Sequence, residues 1–203
     1  VIDGCKYLAA ASLYDGDGWD FLDGTKEVEK ALPLGVVLTL AATGSESNNL
    51  TVLSKKQTDE KRMYFSNYSY PQFAIMDPSV MATLSDRQLG NGLVDAFVHT
   101  SEQYLTHPTT ALVNDGYAET LFRGLVKLAD TWENRRTYTW LENLMHIVNQ
   151  ALNFQIGAGV PQDWSTHLIG HELTAYYNLD HARSLAVVQP YLLEVMNEDK
   201  KEK

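Results

Sequence analysis

One cysteine, Cys5, is all the sulfhydryl chemistry in 203 residues. A lone thiol cannot close an internal disulfide, which fits a reducing compartment. Long hydrophobic runs are also missing. The longest largely apolar stretch, Ala31 to Ala42, is far short of the roughly 20 residues that span a bilayer. No charged segment leading into an apolar core opens the chain, so no secretory signal is visible. Basic charge is scarce: 16 Lys and Arg stand against 26 Asp and Glu, a net charge of -10. That sign repels phosphate backbones and anionic lipid alike, which argues against nucleic-acid and membrane partners. The expectation from these absences is a soluble, cytoplasmic protein. With 44% apolar and 21% charged residues, wholesale disorder is excluded and one sizeable core or two modest ones can form.

The pattern changes along the chain. Residues 3–14 carry Tyr7, Leu8, Ala10, Ala11 and Tyr14 at helical spacing, and Asp15-Gly16-Asp17-Gly18 breaks the run. Gly35 to Leu40, after Pro33, reads as a buried strand; 51–53, 62–65 and 73–76 are further strand candidates, the last ended by Pro78. Beyond Pro78, Ser85-x-x-Gln88 forms a capping-box pattern, and helical spacing dominates over about 86–105, 109–131, 137–154, 161–177 and 182–197. The expected fold is an α/β segment over 1–80 followed by an all-α helical domain over 81–203. The α/β part has too few strands for a complete open sheet. Val1 in place of Met and the closing charge run Glu198 to Lys203 further suggest a fragment, incomplete at both ends.

Three segments carry candidate chemistry. In Gly92-Leu93-Val94-Asp95-Ala96-Phe97-Val98-His99, Asp95 and His99 share a helical face amid apolar neighbours. A carboxylate buried there needs a partner or a metal. An Asp–His hydrogen bond that merely satisfies a core explains the spacing equally well. The second is His167-Leu168-Ile169-Gly170-His171-Glu172, followed by His181: three of the chain's six histidines within fifteen residues. Imidazole with carboxylate suits Zn²⁺ or Fe²⁺. His167 and His171 share a face, whereas His181 would lie about 21 Å along a straight helix and needs a turn, for which Asn178 is the candidate. Two surface histidines and one core histidine remain the alternative. His107 and His146 have no such company and read as structural. Thr39-Leu40-Ala41-Ala42-Thr43-Gly44-Ser45-Glu46, after a strand, offers hydroxyls and a glycine at which a ligand can approach the backbone.

Four segments in order, Asp3-Gly4-x-Lys6, Thr39 to Asn48, Asn91 to His99 and Asp163 to Thr174, closely resemble the iron-containing (group III) alcohol dehydrogenases, in particular the butanol dehydrogenase and NADPH-dependent aldehyde reductase branch. The resemblance covers essentially the whole chain. It implies an α/β nucleotide-binding domain facing a helical metal domain, the architecture shared with dehydroquinate synthase. The metal ligands it implies are Asp95, His99, His167 and His181, with Fe²⁺ or Zn²⁺ as the ion. His171 matches an unliganded histidine that relays a proton. Asp3, Thr39, Thr43, Asn48 and Lys61 match residues that line NADP or NAD. The implied substrate is a small aldehyde or primary alcohol, and the implied assembly a homodimer. The family's Gly-Gly-Gly-Ser pyrophosphate loop would stand immediately before Val1, so this chain by itself is expected to hold the metal, to bind NAD(P)H weakly and to be inactive. The rival expectations are a related metal enzyme, glycerol dehydrogenase or dehydroquinate synthase, and a non-catalytic helical binding module.

Overall fold

A computed structural model describes residues 1–203, which divide into two compact units. One comprises Val1–Leu38 with Ser45–Met76, the other Thr39–Gly44 with Asp77–Lys203.

The first unit opens with helix α1 (Ile2–Ala11). Strands β1 (Gly35–Leu38) and β4 (Phe73–Met76) pair in parallel, with Gly35 opposite Phe73 and Leu38 opposite Met76. Strands β2 (Leu50–Lys55) and β3 (Glu60–Phe65) form an antiparallel hairpin, Leu50 opposite Phe65 and Lys55 opposite Glu60. Ala10, Phe21, Leu22 and Tyr64 form its core, flanked by Tyr7, Tyr14, Trp19 and Leu53. A buried lysine ties α1 to β2: Lys6 Nζ donates to the Asn48 carbonyl at 2.8 Å, to Asn48 Oδ1 at 3.1 Å and to the Leu50 carbonyl at 2.9 Å.

Residues 35–40 do not form one buried strand, contrary to their composition. The strand stops at Leu38, and only Val36 and Leu38 are buried, while Val37 is 57% exposed. A two-stranded parallel pair has too little neighbouring structure to cover both faces, so Phe73 and Ile75 of β4 are also exposed, at 60% and 52%.

The second unit is helical: α2 (Asp86–Tyr104), α3 (Leu112–Asp130), α4 (Tyr138–Ala151), α5 (Ser165–Tyr177), α6 (His181–Val195) and the short α7 (Asn197–Lys200). Helix α2 starts on a complete capping box, the Ser85 side chain accepting from Gln88 N–H while Gln88 Oε1 accepts from Ser85 N–H at 2.9 Å. It packs against α3, α4 and α6, so Leu89, Ala96, Val98 and the whole run His99–Gln103 are buried. Helix α5 begins at Ser165, four residues later than the periodicity suggested. After Pro161 the chain stays non-helical until Asp163 accepts from Ser165 N–H at 3.0 Å.

The segment Thr39–Gly44 sits tightly on these helices. A Cβ at Gly92 would stand 2.2 Å from the Ala41 carbonyl oxygen, and one at Gly44 would stand 3.1 Å from the Leu152 carbonyl. Gly44 also has φ +60°, a left-handed conformation that glycine adopts at no steric cost. No helix is long and apolar enough to cross a membrane.

Candidate metal centre

The site is built on α2. Its face carries Asp95 and, one turn on, His99, both buried. Helix α5 brings His167 and His171, also buried. The chain then reverses at Asn178, whose φ of 52° lies in the left-handed region and whose N–H bonds the Thr174 carbonyl at 3.0 Å. Asp180 is held by two side chains of α2: Arg87 Nε donates to its Oδ2, as does Asn91 Nδ2 at 3.1 Å. The next residue, His181, opens α6 and is thereby delivered to the same α2 face. Gly170 lets α5 and α6 approach closely, since a Cβ there would meet Leu185 Cδ2 at 2.8 Å.

Three histidine nitrogens converge on one oxygen. Asp95 Oδ1 is 3.6 Å from His99 Nδ1, 3.7 Å from His167 Nε2 and 3.7 Å from His181 Nε2. Ligand atoms of Asp95, His167 and His181 all lie within 4.8 Å of one another. His99 adjoins this group through its own contact with Asp95, and its ring stacks on that of His167 at 4.5 Å between centroids. The His171 ring lies 5.2 Å from the His181 ring and 6.3 Å from the His167 ring, but its nitrogens are not among those mutually close ligand atoms.

Asp95 Oδ1, His99 Nδ1 and His167 Nε2 are buried and have no hydrogen-bond partner. Leaving such an atom unsatisfied costs about 1–3 kcal/mol, so three at one point are not explained as core packing. Their spacing exceeds the 2.7–3.2 Å of a hydrogen bond and matches donors that each sit about 2.0–2.2 Å from a shared ion. The donor set, one carboxylate and imidazoles, is that of Zn²⁺ or Fe²⁺. A divalent cation therefore fits.

The electrostatics agree with this. Burial pushes Asp95 toward the neutral form, but His99, His181 and His167 outweigh it and hold the carboxyl well below the usual range. Burial dominates at His99 and lowers it to about 3, against the pull of Asp95, so its ring is neutral. His167 is raised to about 9: burial opposes the charge, and the carboxylates of Asp95 and Glu102 overcome it.

Glu102 was not legible in the sequence. It is buried on α2, and its carboxylate accepts from Thr166 N–H at 2.5 Å and from His167 N–H at 3.2 Å and is paired with His167 Nδ1. The available signal was spacing, because residues 95, 99 and 102 fall on one face of α2.

The residues expected at a dinucleotide are divided between the units. Thr39 and Thr43 are exposed on the segment seated against α2. Asp3, Asn48 and Lys61 belong to the first unit. There Asp3 accepts from Ser45 Oγ and, at 2.9 Å, from Val52 N–H. Asn48 Oδ1 accepts from Lys6 and, at 3.1 Å, from Leu50 N–H. Lys61 lies on β3, opposite Ser54. Asp3 and Asn48 are thus brought together around Lys6, while Lys61 is carried by the hairpin.

An α/β unit is followed by a helical unit that carries an Asp–His cluster fit to hold a cation. Residues 1–78 match the family described as iron-containing alcohol dehydrogenase, and residues 91–203 match the C-terminal part of the Fe-containing alcohol dehydrogenase family. The chain belongs to the iron-containing alcohol dehydrogenase family. It is 47% identical to the NADPH-dependent aldehyde reductase YqhD of Escherichia coli, aligned over 100% of this chain and 54% of that protein. It is 35% identical to the NADH-dependent butanol dehydrogenase A of Clostridium acetobutylicum, over 98% of this chain and 52% of that protein. The crystal structure of E. coli YqhD superposes with a TM-score of 0.96 and 47% identity, covering 100% of this chain and 53% of that one. That of the NADH-dependent butanol dehydrogenase A of Thermotoga maritima gives a TM-score of 0.91 at 36% identity, covering 96% and 49%. The chain spans about half the length of the relatives it matches.

Proposed function

We propose that the protein to which this chain belongs interconverts small primary alcohols and aldehydes by NAD(P)-linked hydride transfer at a divalent metal centre. The observation that carries this reading is the convergence of Asp95 Oδ1, His99 Nδ1 and His167 Nε2, buried and without hydrogen-bond partners. A helical module whose histidines only satisfy its core does not account for it. Asp95, His99, His167 and His181 would hold one cation, Fe²⁺ or Zn²⁺. When bound, the cation supplies Lewis acidity toward a carbonyl oxygen, and NADP or NAD supplies the hydride chemistry.

The chain's own residues do the rest. Asp95 brings the one negative charge of the ligand set; with every imidazole deprotonated at its ligating nitrogen, a dication and these four ligands alone would carry one net positive charge. His171, buried beside His181 but outside the ligand group, is assigned to move a proton to or from the substrate oxygen. Thr39 and Thr43 are assigned to the dinucleotide, with Lys61. Asp3 and Asn48 complete that set, and both also shape the chain around Ser45–Leu50. A cytoplasmic setting remains part of the reading, supported by the single cysteine. So does a homodimer, supported by the exposed Val37, Phe73 and Ile75, and sedimentation equilibrium tests it.

Elemental analysis tests the centre. His167→Ala and His181→Ala should each lose most of the metal, and His107→Ala, at an exposed position, should keep it. Full metal retention in His181→Ala would remove that residue from the ligand set. Metal loss in His107→Ala as well would leave the site unidentified.

A further inference from the structure

Glu102 is a carboxylate at 5% exposure, seven residues beyond Asp95 and three beyond His99 on the same helix. A charge in that position costs several kcal/mol unless its lone pairs are occupied. Here they are, and all by the start of α5. Oε1 takes the N–H groups of Thr166 and His167, while Oε2 faces His167 Nδ1. The Glu102 main-chain carbonyl also accepts from Asp163 N–H at 2.8 Å. Trp164, at the N-cap of α5, offers no side-chain cap. Glu102 therefore caps a helix other than its own, and its negative charge meets the positive end of that helix dipole.

A cap needs only the backbone contacts. The second oxygen does something more. An ionised carboxylate can only accept, so His167 Nδ1 must carry a proton, and in the neutral ring Nε2 is left with its lone pair. That nitrogen is the one 3.7 Å from Asp95 Oδ1, without a hydrogen-bond partner. The ring is thus set, in both tautomer and direction, from the side away from the centre. The charges also balance: a dication with Asp95 and Glu102 as the two anions leaves this buried group neutral.

We propose that Glu102 is the positioning residue of the metal centre, fixing His167 with Nε2 available to the cation while anchoring the N-terminus of α5. This rests on the metal reading of the same site.

Glu102→Gln tests it because the side chain keeps its shape and loses one acceptor. The two backbone N–H groups claim the amide oxygen, so the amide NH₂ turns to His167 Nδ1 and donates to it. The ring proton is then driven to Nε2, where it blocks the cation. Zinc affinity of the 203-residue chain, measured by competition with a chromogenic chelator, should fall about 10- to 100-fold. Asp163→Ala loosens the same helix end without touching His167 Nδ1; it should lower the melting temperature and leave zinc affinity within a few-fold. In the zinc-loaded wild type, ¹H–¹⁵N correlation of the His167 ring should show the proton on Nδ1, shifted downfield by the carboxylate. Wild-type zinc affinity in Glu102→Gln would overturn the proposal while leaving the metal site intact. A wild-type ring with its proton on Nε2 would do the same, even if Glu102→Gln failed to fold. A wild-type chain that takes up no zinc would overturn the metal reading itself, and this proposal with it.

Discussion

Gly92→Ala and Gly116→Ala should move stability in opposite directions, although both replace a glycine inside a helix of the same unit. Alanine is favoured over glycine in a helix interior by about 0.8–1 kcal/mol, and this gain applies to both. The surroundings differ. Around Gly116 nothing lies within 4 Å of the added Cβ, so the full gain should appear. At Gly92 the Cβ would stand 2.2 Å from the Ala41 carbonyl oxygen. That is a backbone atom, which cannot swing aside as a side chain can, so either the Thr39–Gly44 segment or α2 must shift by about 1 Å. Overpacking of this kind costs about 1–3 kcal/mol. The net effect of Gly92→Ala is then neutral to about 2 kcal/mol destabilising. The difference between the two variants, about 1–3 kcal/mol, is free of the propensity term. Urea unfolding followed by far-UV circular dichroism resolves it: with a slope of about 2 kcal/mol/M, the midpoints should separate by roughly 0.5–1.5 M. If Gly92→Ala were as stabilising as Gly116→Ala, the segment bearing Thr39 and Thr43 would not be seated on α2, and the account of how it is positioned would fail.

Other outcomes follow from single contacts. In the full-length protein, His171→Ala should retain metal and slow turnover by about 10²- to 10⁴-fold; metal loss on elemental analysis would make His171 a ligand instead. Lys6 is lowered by burial from 10.5 to about 8, against the opposing pull of Asp3 and Glu46. Between pH 8 and 10.5 the unfolded chain therefore binds more protons at this site, and stability rises with pH. Relative to Lys6→Met, which lacks this titration, the wild type should gain up to about 3 kcal/mol across that window, read from denaturation midpoints at each pH. A parallel pH dependence in the two proteins would refute the buried, charged lysine. Asn178→Ala places an alanine at φ 52° and should cost about 1 kcal/mol, whereas Asn178→Gly should be tolerated. Equal melting temperatures for the two would show that the turn before His181 does not depend on the left-handed residue.

Much of the helical unit was readable because its determinants are local. The capping box at Ser85 and Gln88, the helical spacing after Pro78 and the reversal at Asn178 each depend on residues a few positions apart. Asp95 and His99 could be paired for the same reason, since four residues on a helix make neighbours. Where the determining neighbours are distant in the chain, local pattern does not specify the outcome. Gly35 to Leu40 has the composition of a buried strand, but which faces are covered depends on what packs against β1, and Val37 lies open. Helical periodicity continues through Pro161, yet α5 starts only at Ser165, because the backbone before it is held by Asp163 and by Glu102 from another helix.

The sequence by itself determined the family resemblance, the helical segments and the residue types able to bind a cation. Spacing alone could not decide between His171 and His181 as neighbours of Asp95, because it favoured the first and only a turn could supply the second, although the resemblance implied His181. The tertiary structure decided that: Arg87 and Asn91 hold Asp180, and His181 arrives 3.7 Å from Asp95 Oδ1. It also decided the role of Glu102. In sequence a glutamate on a helix is an ordinary solvated charge. Burial against the N-terminus of α5 turns it into the acceptor that fixes His167, since a charge removed from water must find its partners within the protein.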